Sequence, residues 1–411
     1  MLPRSMTKSV LPLLVIVGVF ALVATAARSP VATQPPEIPS SVVTEADTVV
    51  SKLDQLMAEK WRDAKVEPAR AADEFTILRR LSLVLHGTIP SLEEIRLFEA
   101  DTEPQRIERW TERMLADRRF SDYFARRLAR VFVGADDGQF ILFRRDRFWA
   151  WLGQQLHDNR PYDEVVRDML AERGLWTGEP EVNFITASVA EGNIDHNKLA
   201  GRTVRAFLGQ RIDCAQCHNH PFADWKQSQF EGLAASFGQL NISPVGVEDN
   251  RKEEYSVEDT MTLKQRKISP AVPFHPEWLP SEGTQRQKLA AWVTHPDNRR
   301  FERAIVNRVW GLMFGRPWIE PVDDLPPATV ITKVTPKGTT LHIRGTATDN
   351  VGVKQVTIRL RTGGQVASTA AKLDGMNWEA VLREVPEGAI TVEAVSEDLA
   401  GNVEKTPAVV K

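Results

Sequence analysis

The run Asp323-Asp324-Leu325-Pro326-Pro327 divides the 411-residue chain into two parts with different hydrophobic periods. Before it, apolar residues recur at spacings of three and four, the period of a helix with one buried face. After it they alternate, as in half-buried strands: Leu341/Ile343, Val356/Ile358/Leu360, Trp378/Ala380/Leu382 and Ile390/Val392/Ala394. Asp349-Asn350, Gly363-Gly364, Asp374-Gly375 and Glu387-Gly388 supply turn residues between these runs. Of the 11 Trp, only Trp378 follows the junction, so the parts differ in composition as well as period. The expected fold class is multidomain: a mainly α-helical N-terminal domain, then an all-β sandwich over 327–411 of about seven short strands.

Upstream of the junction the helical pattern covers 45–240. Val49, Leu53, Leu56 and Met57 fall on one helix face. Phe75, Leu78, Leu81, Leu83 and Leu85 form an apolar ridge that stops at His86-Gly87-Thr88-Ile89-Pro90. Ser91-Leu92-Glu93-Glu94 is a capping box: the Ser oxygen accepts from a free amide while Glu94 reaches back. Further helices are expected over 105–117, 119–134, 144–158 and 161–173. His86 and His157 sit at helix ends, where a cation complements the helix dipole. Residues 241–288 are polar and interrupted by proline, which predicts a connection or hairpin rather than core helix. Helical spacing returns from Leu289 to Val293 and from Phe301 to Phe314, within a segment 289–326.

The first 27 residues read as an export signal or an N-terminal membrane anchor. Arg4 and Lys8 precede an apolar run from Leu11 to Val23, and Ala24-Thr25-Ala26 supplies small residues for cleavage. Either form places the rest outside the cytoplasm, in the periplasm or at the cell surface. Pro-rich 28–44 reads as a disordered tether. Removing 1–27 deletes two positive charges and no acid, which takes the net charge from −3 to −5. With no basic excess, and with the Arg pairs at 79–80, 126–127 and 144–145 read as solvated faces, nucleic acid is not an expected partner.

The chain has only 2 Cys, and both lie in Cys214-Ala215-Gln216-Cys217-His218, followed by Asn219-His220-Pro221-Phe222. C-x-x-C-H is the pattern for covalent attachment of c-type haem: two thiols one turn apart meet two vinyl groups, and the adjacent His218 reaches the iron. His196, Met261 and Met313 are candidates for the opposite axial position. The same residues admit two alternatives. Cys214, Cys217, His218 and His220 could hold Zn²⁺. The two thiols could also close a local disulfide, with the histidines structural. No G-x-S-x-G, Walker or Rossmann sequence is present and no hydrolytic pair can be picked out, so enzymatic activity stays open.

Three resemblances add to this reading. Leu199-Ala200-Gly201-Arg202-Thr203-Val204-Arg205-Ala206-Phe207-Leu208-Gly209, then Cys214 through Asp224-Trp225, resembles the cytochrome-like domain of unknown function abundant in planctomycete bacteria. Phe75 through Arg80 and Gly87 through Glu94 resemble the start of that domain, with Val84 where the family usually carries Asp. Leu289-Ala290-Ala291-Trp292, His295-Pro296-Asp297-Asn298, Val306-Asn307-Arg308-Val309-Trp310 and Phe314-Gly315 look like the opening of its usual partner domain, shortened here. Asn307 and Arg308 are more readily assigned to packing within a helix than to function. Gly345 through Val353 and Ala394 through Asn402 resemble bacterial immunoglobulin-like modules, which act as spacers or adhesive surfaces. Asp349 and Asp398 are of the oxygen type that Ca²⁺ takes, although turn hydrogen bonds are the ordinary role for such residues. The resemblances imply an exported haem c protein with a redox or cell-envelope protein as partner. Trp149 and Trp151 would wall its core or haem pocket.

Overall fold

The computed structural model describes residues 40–134, 142–190, 192–219, 225–258, 264–323, 328–348, 353–362, 365–374, 377–383, 385, 390–398, 403–404 and 407–410. The segment 1–27, His220, Met261 and Asp349 fall outside that set. Two compact units are present, Met1–Pro68 and Ala69–Lys411. In the first, helix α1 (Ser40–Asp63) begins inside the stretch read as tether and leaves Val49 and Leu56 exposed.

In the second unit, α2 (Glu74–His86), α3 (Leu92–Ala100), α4 (Arg106–Ala116) and α5 (Arg118–Val133) follow with short connections. Their boundaries are chemically explicit. Asp73 Oδ1 accepts from the Thr76 amide, and left-handed Gly87 (φ 72°) ends α2. At α3 both halves of the capping box form: Ser91 N donates to Glu94 Oε2 at 2.7 Å and Glu94 N to Ser91 Oγ at 3.2 Å. Leu78, Leu85, Phe98, Trp110 and Met114 make a small core between these helices. Val84 packs at its margin. His86 closes α2, and its Nε2 donates to the Met114 carbonyl.

The main core is built by α5, α6 (Arg145–His157), α7 (Tyr162–Ala171), α8 (Asn183–Thr186), α9 (His196–Thr203), α10 (Gln227–Ala235), α11 (Gln285–Val293) and α12 (Arg299–Phe314). At its centre the Phe207 ring packs against both Phe132 and Phe184, with centroids 5.4 Å apart in each case. Trp149 and Trp151 line its edge. Arg79, Arg80, Arg126 and Arg127 are exposed, whereas Arg144 and Arg145 are half-buried, with Arg145 over Phe143 and Trp149.

A short antiparallel pair, β1 (Val189–Ala190) with β2 (Asn193–Ile194), precedes α9. The polar stretch 241–288 contains two further pairs, β3 (Leu240–Ser243) with β4 (Gly246–Asp249) and β5 (Ser256–Glu258) with β6 (Gln265–Lys267), and it joins the main core. Val272, Phe274, Trp278 and Leu279 pack against that core, and Phe274 accepts the Trp292 indole N–H through its carbonyl. Trp278 is stacked between two imidazoles, His275 at 4.2 Å and His295 at 4.6 Å.

Beyond the junction lie β7 (Ala328–Lys337), β8 (Thr340–Thr348), β9 (Val353–Thr362), β10 (Gln365–Ala370), β11 (Lys372–Asp374), β12 (Asn377–Leu382), β13 (Thr391–Asp398) and β14 (Ala408–Val410). Among the described residues this is one strand more than expected. They form two antiparallel sheets of order β11-β12-β8-β7 and β10-β9-β13-β14. The alternating residues read from the sequence face inward: Leu341, Ile343, Val356, Ile358, Leu360, Trp378, Ala380, Leu382, Val392 and Ala394 are all buried in one core. The mainly helical body and the all-β tail are thus as expected.

Candidate functional site

The Cys214 turn is suspended between two buried anchors. Ile212 and Ala215 are fully buried in the main core, while Asp213, Cys214, Gln216, Cys217, His218 and Asn219 are exposed. Asp213–Gln216 is a 3₁₀ turn, and the Cys217 amide donates to the Cys214 carbonyl at 3.4 Å. In such a turn residues i and i+3 eclipse, so Cys214 and Cys217 share one side. Both thiols are free and exposed.

The turn is braced on three sides. Arg205 pairs with Asp213, and Gly201 faces the Asp213 carboxylate, where an added Cβ would lie 3.1 Å from Oδ1. Upstream, α9 runs into a π-helical segment, Val204–Leu208, which ends at left-handed Gly209 (φ 64°). Such segments are uncommon and recur beside functional sites. Arg211 is held by Asp323 at 2.8 Å. On the third side Gln227, the first residue of α10, donates from its amide to Asn219 Oδ1 at 3.0 Å. Its side-chain amide donates to the Gln216 carbonyl at 3.3 Å.

His218 Nδ1 lies 2.7 Å from the Asn219 carbonyl. A carbonyl only accepts, so this contact selects a proton on Nδ1, and in the neutral ring the lone pair is then on Nε2. That is the tautomer in which a histidine ligates metal while its second nitrogen is fixed by a backbone acceptor. Two thiols on one side of a turn and a neighbouring bare Nε2 suit either haem attachment or a partial metal shell. The fourth residue of the zinc alternative, His220, is outside the described residues. Trp225, the next described residue, is buried, and its Nε1 has no partner among the described residues.

The remaining candidates lie elsewhere. His196 opens α9, edge-on to Tyr255 at 5.9 Å, and burial pushes its pKa down. Met313 packs against the small core of α2–α4. Asn307 exchanges hydrogen bonds with the backbone of Ile319, and Arg308 donates to the carbonyls of Ala206 and Arg205. Sequence reading did not reveal the bracing by Asn219, Gln227 and Asp213. An Asn one residue past a C-x-x-C-H and a polar helix start eight residues on were its only visible traces.

Residues 52–241 match the model of PSCyt2, a protein family of unknown function (DUF1549). Residues 285–329 match PSD1, a protein family of unknown function (DUF1553). No curated protein matches the chain.

Proposed function

We propose that the chain is an exported protein that carries c-type haem covalently on Cys214 and Cys217, with His218 as an iron ligand, for electron transfer at the cell envelope. The supporting observation is the His218 ring: Nδ1 meets the Asn219 carbonyl, Nε2 has no partner among the described residues, and two exposed thiols lie on the same turn. Bound haem would supply one-electron chemistry, tuned by burial and axial ligation. The chain's own residues hold the turn rigid: Ile212 and Ala215 anchor it, and Asp213 is fixed by Arg205. Export rests on the charged and apolar pattern of 1–27. The tail's sheet order is that of immunoglobulin-type sandwiches, which supports a role as spacer towards a redox or envelope partner.

The test is expression of the full chain in a host with haem c maturation, followed by a pyridine haemochrome spectrum of the denatured protein. A covalent c-type spectrum that is lost in Cys214→Ser/Cys217→Ser is expected. Protein without haem under these conditions overturns the reading. Zinc by elemental analysis would then assign Cys214, Cys217, His218 and His220 to a metal site. One disulfide by mass spectrometry would instead assign the cysteines to a local cross-link. That second reading draws on the same fact, two exposed thiols three residues apart.

A further inference from the structure

His218 is exposed, so burial among the described residues does not fix its ring. Its ring is nevertheless tied down through a relay of three hydrogen bonds. The first amide of α10, Gln227 N, donates to Asn219 Oδ1 at 3.0 Å. Asn219 in turn accepts His218 Nδ1–H at its carbonyl, at 2.7 Å. The Gln227 side chain closes the loop by donating to the Gln216 carbonyl at 3.3 Å, between the two cysteines. The α10 amide is one of the donors that a helix start leaves without an intrahelical acceptor. Asn219 supplies that acceptor from outside the helix, as the first polar side chain after the C-x-x-C-H run. The helix itself is well fixed: Phe230, Leu233 and Ala234 are buried in the main core.

We propose that Asn219 is a positioning residue: clamped by the first amide of α10, it holds the His218 ring with Nδ1 protonated and Nε2 bare, pointed for ligation before any ligand arrives. Asn219 touches no ligand itself and acts only through the carbonyl that His218 meets. The inference rests on His218 being the ligating residue of the proposed function, but its tautomer is read in the ligand-free chain, independently of any ligand. Gln227 has a separate, lesser part, since its side chain ties only Gln216.

The test reads His218 directly, by ¹⁵N chemical shifts of the ligand-free protein with His218 assigned through His218→Gln. In the wild type the Nδ1–H tautomer predominates. In Asn219→Ala it gives way to the Nε2–H form, while Asn219→Asp, which keeps the acceptor, retains Nδ1–H. Gln227→Pro provides an independent route, because proline is tolerated in the first turn and removes only the donating amide and the Gln216 contact. It behaves as Asn219→Ala, and Gln227→Ala behaves as the wild type. An unchanged tautomer in both Asn219→Ala and Gln227→Pro overturns the proposal. In matured protein, Asn219→Ala keeps the covalent haem and shifts the reduction potential, and Asn219→Asp restores it. A wild type that holds the Nδ1–H tautomer but takes up no haem upholds the positioning and overturns the function. Haem in every variant with identical potentials does the reverse.

Discussion

Arg308 Nη1 donates to the carbonyl of Ala206 at 2.5 Å, across 102 residues of sequence. Ala206 sits in the π-helical segment just before the cysteine turn, and Arg308 on α12 within the segment that matches PSD1. A second bond from Nη2 reaches the Arg205 carbonyl at 3.4 Å. The segments that match two different families are therefore joined at the backbone that leads into the candidate site. A further ion pair, Arg211 with Asp323, lies across the same join.

Replacing Arg308 tests that join. The side chain is 4% exposed, so Arg308→Leu leaves buried carbonyls without a donor. The expected loss is about 2–4 kcal/mol, the range for an unsatisfied buried polar group plus lost packing. Lysine, which lacks the planar fork, recovers only part of it. Urea denaturation followed by far-UV circular dichroism measures the change. A cost below about 0.5 kcal/mol, the surface range, counts against a structural role.

Arg286 and Asp249 form the most deeply buried ion pair described, at 2.8 Å on both oxygens and 1% and 4% side-chain exposure. Arg286 also donates to the carbonyls of Leu170 and Glu172, so it ties hairpin β3–β4 and the end of α7 to α11. Asp249→Ala leaves a buried cation unpaired, at an expected cost of about 3–5 kcal/mol. In a double-mutant cycle with Arg286→Leu the second change costs much less than alone. Additive losses would show that the pair is not coupled.

Those two arginines also mark where the sequence stopped being legible. The helices expected over 105–117 and 119–134 appear at Arg106–Ala116 and Arg118–Val133, because apolar spacing and caps are local signals. Trp378, Ala380 and Leu382 were legible as inward residues for the same reason. Phe274, Trp278 and Leu279 were not: prolines break any period around them, and only tertiary contacts with Trp292 and its neighbours bury them. At the candidate site Cys214, Cys217 and His218 could be picked out from spacing alone. The relay from Gln227 could not, since it depends on where α10 comes to rest.

Acid should weaken the fold through Arg119. Its guanidinium bonds Glu94 at 2.5 Å and Asp117 at 2.7 Å, and these bonds, above all, hold both carboxyls below the usual range. A carboxylate whose folded pKa is depressed contributes fully above its unfolded pKa, near 4. That contribution is lost as pH falls through the folded values. The melting temperature is therefore expected to fall from about pH 4.5 downward. Arg119→Gln lowers it at pH 7 and flattens the decline. A parallel decline in wild type and variant would remove this cluster from the acid response.

Gly345 tests the tail. It lies in β8 opposite Trp378 of β12, and an added Cβ would sit 2.2 Å from the indole and 2.1 Å from the Val330 carbonyl. No positive φ is involved, so the requirement is space rather than backbone freedom. The indole is fixed from its other end, where Nε1 donates to Thr329 Oγ1 at 2.9 Å. Gly345→Ala must displace either the ring or strand β7, and overpacking of this kind costs about 1–3 kcal/mol. Near-UV circular dichroism should report a disturbed Trp378, the only Trp of the tail. In a Trp378→Leu background the ring no longer obstructs, and the same alanine costs less. Equal costs in both backgrounds would place the clash on the Val330 carbonyl and not on the indole.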